Sequence, residues 1–122
     1  MRTAAMCVIL FCGAALAAQP DFSRHQACAD RLVKAINAGD YEAIEAEFNA
    51  QMRDALPIEK TRQFFQGLTA QAGKIRELGK PHWEPGDLAV FPAIFERATL
   101  DLKLALDEQG RIAGLLFVPA AP

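Results

Sequence analysis

Residues 99–106 alternate almost without a break: Leu100, Leu102, Leu104 and Leu106 fall to one side, and Thr99, Asp101, Lys103 and Ala105 to the other. A period of two is the signature of a strand. Glu108-Gln109-Gly110 is turn chemistry that returns the chain into another strand. Upstream the period is helical. Phe22, Cys28, Leu32, Val33 and Ile36 share an inward face, with Asp21 or Ser23 as cap and Gly39 as the left-handed stop. Asp40 caps a second helix that lines up Tyr41, Ile44 and Phe48, and Ala50 to Leu56 reads as a short helical piece. Pro57 opens a third main helix, which turns Ile58, Thr61, Phe65, Leu68 and Ala72 inward and stops at Gly73. Gly67 inside that helix costs about 1 kcal/mol relative to alanine, which predicts the close approach of another backbone.

The character changes at Lys74. A strand from Lys74 to Trp83 is interrupted by Gly79 and Pro81, as suits an edge or a bulge. After the turn Pro85-Gly86-Asp87, Leu88, Val90 and Ile94 share one face of the next strand, and Phe91 and Phe95 the other. The fold class predicted is α+β: three N-terminal helices packed on a curved antiparallel sheet of about four strands. Phe91, Phe95, Leu115 and Phe117 are read on the sheet face opposite the leucine row, as a homodimer or partner-protein contact. A bulge that changes the parity of the sheet would return some of them to the core. Both readings stand at this point.

The first residues are of another kind. Arg2 is followed by an apolar run from Ala4 to Leu16 and a small-residue site at Ala15-Leu16-Ala17. These are the parts of a secretory signal peptide, expected over residues 1–18, which leaves one domain over 19–122 in the periplasm or outside the cell. The uncharged run is shorter than the ~20 residues a spanning helix needs, so no membrane attachment is expected after cleavage. Met6 and Phe11 precede Cys7 and Cys12, where a lipoprotein site requires a small residue. Of the three cysteines only Cys28 lies beyond the signal, so no internal disulfide is expected.

Charge and inventory narrow the chemistry. With a formal net charge of −2 and no block of like charge, the basic footprint of a nucleic-acid binder is missing. Ser23 is the only serine, and there is no Gly-x-Ser-x-Gly elbow, phosphate loop or Cys-x-x-Cys pair. Asp101 alternates away from the leucine row beside Lys103 and reads as a solvated residue rather than a base. His25 and Cys28 share a helix face, but two ligands make a weak metal site, and neither metal nor cofactor is expected. Tyr41, His82 and Trp83 are the polar-aromatic set suited to a pocket. Phe65, Leu100 and Leu102 are its expected apolar lining, with Leu32 and Ile36 beside them.

The ending Phe95-Glu96-Arg97-Ala98-Thr99-Leu100-Asp101-Leu102, followed by Asp107…Gly110-Arg111-Ile112-Ala113-Gly114-Leu115, resembles the domain of unknown function 3887. So do the Gly39-Asp40-Tyr41 step, the Met52…Ala55-Leu56-Pro57 approach and the Gly73-Lys74 exit; the resemblance spans Ala29 to Pro119. This chain has Phe64-Phe65 where relatives carry tryptophan. The resemblance implies a cone fold of the nuclear-transport-factor-2-like group, in which a curved sheet and helices enclose a pocket open at one end. Its motifs are caps, turns and core strands, so it carries fold rather than chemistry. Three functions follow as expectations. The first is a binding or accessory domain for an apolar small molecule or a protein partner. The second is a small isomerase or lyase using His82 and Tyr41. The third is an assembly module beside a separate serine hydrolase, because relatives often precede such a domain.

Overall fold

The computed structural model describes residues 21–120; the expected signal peptide lies outside them. Helix α1, Ser23–Ala38, begins after an Asx turn in which the Asp21 carboxylate accepts from the Ser23 N–H at 2.9 Å and its hydroxyl at 2.7 Å. It buries Cys28, Ala29, Leu32, Ala35 and Ile36. The stop is a Schellman turn, with Gly39 at φ 69° and N–H bonds from Gly39 to Ile36 and from Asp40 to Ala35. Asp40 then caps α2, Tyr41–Glu47, by accepting from the Ala43 N–H. Asn49 caps α3, Ala50–Ala55, in the same way through the Met52 N–H. Pro57 stands at the cap of α4, Ile58–Ala72, one residue earlier than its expected place inside the helix. Gly67 has nothing within 4 Å of where a Cβ would stand, so the expected backbone approach is absent there.

Gly79 and Pro81 split the first predicted strand into β1, Ile75–Leu78, and β2, His82–Glu84. Both pair antiparallel with β3, Leu88–Phe95, at its opposite ends. The sheet continues with β4, Thr99–Leu106, and β5, Ile112–Pro119, in the order β1-β3-β4-β5. The result is α+β, with the helices on one face of an open five-stranded antiparallel sheet.

The register settles which face is which. Phe91 pairs with Leu102 and Leu102 with Phe117; Ala89 pairs with Leu104 and Leu104 with Leu115. Directly paired residues point to the same side. Phe91 and Phe95 therefore lie on the leucine face, within the helix-covered core at 0% and 3% exposure. Leu115 and Phe117 pack against that core half-buried, so the outer-face contact read from the sequence is not there. The outer face instead carries His82, Glu84, Val90, Asp101, Lys103 and Leu116.

The β4–β5 turn is tied to the helices. Asp107 accepts from the N–H groups of Gln109 and Arg111 and from the Asn49 side chain. Arg24 donates to the Asp107 and Glu108 carbonyls at 3.3 and 3.4 Å, and Arg111 to the Ala46 carbonyl at 2.9 Å. The Asn49 N–H meets the Ile112 carbonyl at 2.9 Å, and Phe48 forms a parallel bridge to Ile112. No described helix is long and apolar enough to cross a membrane.

Candidate functional site

One helical turn separates Phe22 from His25 at the start of α1, and both meet the same ring. Trp83 pairs with Ala89 and so projects from the helix side of the sheet. Phe22 stacks on Trp83 with centroids 4.6 Å apart and planes 14° from parallel, while His25 meets it edge-on at 4.9 Å. Beside this cluster opens a cleft of about 440 Å³ between the N-terminus of α1, the β2–β3 turn and the β4–β5 turn. Trp83, His25 and Leu106 supply its apolar wall. Arg24, Asp87, Asp107 and Glu108 supply its polar rim.

Most of the rim is already engaged. The Arg24 guanidinium holds the turn carbonyls, and the Asp107 carboxylate closes its own turn, whose hydrogen bonds hold its pKa below the ordinary carboxylate value. Asp87 sits at φ 58°, a left-handed conformation that aspartate tolerates better than most residues, in a turn that sets it at the cleft. His25 is the exception. Its Nδ1 is buried and has no hydrogen-bond partner. Burial, then the Arg24 charge, lowers the imidazole pKa below the ordinary value of 6.5, against an opposing pull from Asp87. A neutral imidazole beside one guanidinium and three carboxylates leaves the cleft with an excess of negative charge.

Of the six expected pocket residues, Trp83 alone lines this cleft. Phe65 and Leu102 are fully buried in the packed core with Leu32 and Ile36, and Leu100 packs against that core half-buried. Tyr41 lies half-buried on α2 with the Arg62 guanidinium 5.8 Å from its ring centroid. His82 is exposed on the outer face, 3.7 Å from Glu84, which in turn pairs with Lys103 at 2.9 Å. The sheet stands between Tyr41 and His82, so the two do not meet in one pocket. His25 and Cys28 also part company, because Cys28 faces Glu47 at 3.7 Å while His25 faces Trp83. Among the described residues no group of three or more His, Cys, Asp or Glu side chains is placed to hold a metal.

His25, Arg24, Asp87, Asp107 and Glu108 were not read as pocket residues from the sequence. The available signal was the Phe22-His25 spacing of one helical turn, which puts an aromatic and an imidazole side by side. A second, smaller cleft of about 260 Å³ lies at the α1–α2 elbow, over Ala35, Ala38 and Ala43.

The chain belongs to the family described as protein of unknown function (DUF3887), which matches residues 29–115. The matched span takes in Trp83, Asp87, Leu106, Asp107 and Glu108 and begins beyond His25. No curated protein and no solved structure matches the chain significantly.

Proposed function

We propose that this member of the DUF3887 family is a non-catalytic binding module, exported to the periplasm or secreted, that seats a small organic molecule in the Trp83 cleft. One observation carries the reading: His25, whose Nδ1 is buried without a partner, lines an open cleft next to an aromatic surface. A buried polar atom left unpaired costs about 1–3 kcal/mol, and a polar group on a bound molecule would relieve that cost. The ligand is then amphipathic rather than purely apolar, with a flat or apolar body against Trp83 and one polar group toward His25. The engaged state of Arg24 and Asp107 supports binding over catalysis, since neither is free to act as an acid, base or nucleophile. Helices on one side of an antiparallel sheet, with a cleft at one end, support a cone-like arrangement of the nuclear-transport-factor-2-like kind. The Ala4–Leu16 run and the Ala15-Leu16-Ala17 site support export.

Trp83 is the only tryptophan in the chain, so its emission reports on the cleft without labelling. A panel of small aromatic and aliphatic amines, alcohols and acids, titrated one at a time, should contain a compound that changes that emission saturably. The change should disappear in His25→Ala while the fold persists. Linear quenching by every compound, or a saturable change that survives His25→Ala, would reject the proposal. Intact mass of exported protein should show a start at Ala18 or Gln19; a full-length chain in the membrane fraction would reject the export reading.

A further inference from the structure

The two edges of the sheet are treated very differently. The β1–β2 edge is broken by Gly79-Lys80-Pro81 and carries Arg76 and Glu77, devices that discourage pairing with another strand. The β5 edge has none of them. From Ile112 to Pro119 there is no charged residue, and the only proline is the last. The register shift of this hairpin falls near its turn, opposite Ala105 and Leu106, which leaves the rest of the strand regular.

Among the described residues the one strand beside β5 is β4, and Phe48 adds a single bridge at Ile112. The Ala120 N–H donates to the Thr99 carbonyl, so by alternation the backbone groups of Leu116 and Val118 face β4. Those of Leu115 and Phe117 point away from the sheet. Asn49 and Phe48 bond to β5 at Ile112, and α3 comes against the strand beside them; the hydrogen bonds and bridges to this edge are confined to that corner. Among the described residues the large hydrophobics that stay exposed are Leu116, at 56%, and Phe64, at 45%. Both flank this same open edge. Leu116 stands on the outer face of β5, and the Phe64 ring lies 6.2 Å from that of Phe117 on the helix side.

We infer that β5 pairs antiparallel with β5 of a second copy, about a two-fold axis at Leu116, to give one continuous sheet across a homodimer. This geometry sets Leu115 opposite Phe117 of the second copy, and the reverse, so the two outward-facing residues of each strand bond with each other. Pro119, with no N–H to give, closes the pairing at one end. Leu116 meets its own counterpart on the outer face, and Phe64 covers the joint on the helix side. An uncharged strand can meet a copy of itself without opposing like charges, which favours self-pairing over a partner chosen by charge.

Sedimentation of the whole exported chain over a range of concentrations should give a dimer. Hydrogen exchange at the Leu115 and Phe117 amides should slow as the dimer forms. Leu116→Lys and Phe64→Lys alter exposed positions, so each should keep the fold by circular dichroism and weaken dimerisation at least roughly tenfold. A monomer at every concentration would overturn the inference. So would a dimer indifferent to both substitutions, or protection of Leu115 and Phe117 that does not depend on concentration, since another segment of the same chain would then cover the edge.

Discussion

Asn37 and Ile75 exchange two hydrogen bonds. The Asn37 side-chain amide donates to the Ile75 carbonyl at 2.9 Å, and the Ile75 N–H donates to the Asn37 carbonyl oxygen at 2.9 Å. The side chain imitates a neighbouring strand and fastens the last turn of α1 to the first residue of β1. Its removal should strand both backbone groups of a residue that is only 4% exposed. Asn37→Ala should lower the unfolding free energy by about 2–3 kcal/mol in urea titrations, with an unchanged denaturant slope. A loss below about 0.5 kcal/mol would mean that water replaces the amide at no cost.

Two glycines should respond in opposite directions. Gly67 lies within α4 with open space around it, so Gly67→Ala should gain about 0.5–1 kcal/mol from reduced freedom in the unfolded chain. Gly73 has φ 87°, and a Cβ there would stand 2.5 Å from a carboxylate oxygen of Glu96. That oxygen accepts from the Lys74 N–H at 3.0 Å and cannot move without breaking the bond. Gly73→Ala should cost at least about 1–3 kcal/mol. Thermal melts of the two variants check the signs.

The Cys28 thiol should be inert in the folded protein. Burial, then the Glu47 charge, pushes its pKa up to about 12, and the side chain is fully buried. Alkylation at pH 8 followed by peptide mapping should find Cys28 modified at least roughly a hundredfold more slowly than in denaturant. Labelling at comparable rates would show that this part of α1 opens readily.

His25 should titrate below the ordinary histidine range. The unfolded chain takes up its proton near 6.5, and the folded chain only at lower pH because burial disfavours the imidazolium. Between those two values the unfolded state binds more protons, so stability falls as pH falls. The contribution of His25 is whole above about 6.5 and is lost as the pH drops toward its folded pKa. Asp87 pulls the other way, so Asp87→Asn should lower the midpoint further. An imidazole proton titration by NMR reads both effects; a midpoint at or above 6.5 would contradict them.

What the sequence discloses depends on the range of the forces involved. The caps at Asp40 and Gly39 and the break at Gly79-Pro81 are local events, and they appear where composition places them. The alternation within β3 and within β4 is also correct. Which face of one strand matches which face of the next depends on the register through Glu96-Arg97-Ala98, which no within-strand pattern encodes; the sequence therefore leaves two placements of Phe91 and Phe95 open, and the pairing puts both on the leucine face. The cleft was out of reach on similar grounds. Its walls come from the start of α1 and from two turns, joined by Arg24 reaching carbonyls 83 and 84 residues away.

Those ties have a consequence for the order in which the fold can be completed. The hairpin turn at Asp107–Arg111 supplies carbonyls to Arg24, a guanidinium to Ala46 and a carboxylate to Asn49, spanning 58 to 84 residues of chain. None of these bonds can form during synthesis until the final hairpin has emerged, although α1 and α2 are complete long before. Contacts of such separation slow folding, because the loop must close before any of them forms. The β4–β5 hairpin acts as the clasp of the domain, and a chain arrested short of Thr99 holds helices whose buried face has neither the leucine row of β4 nor β5 to pack against.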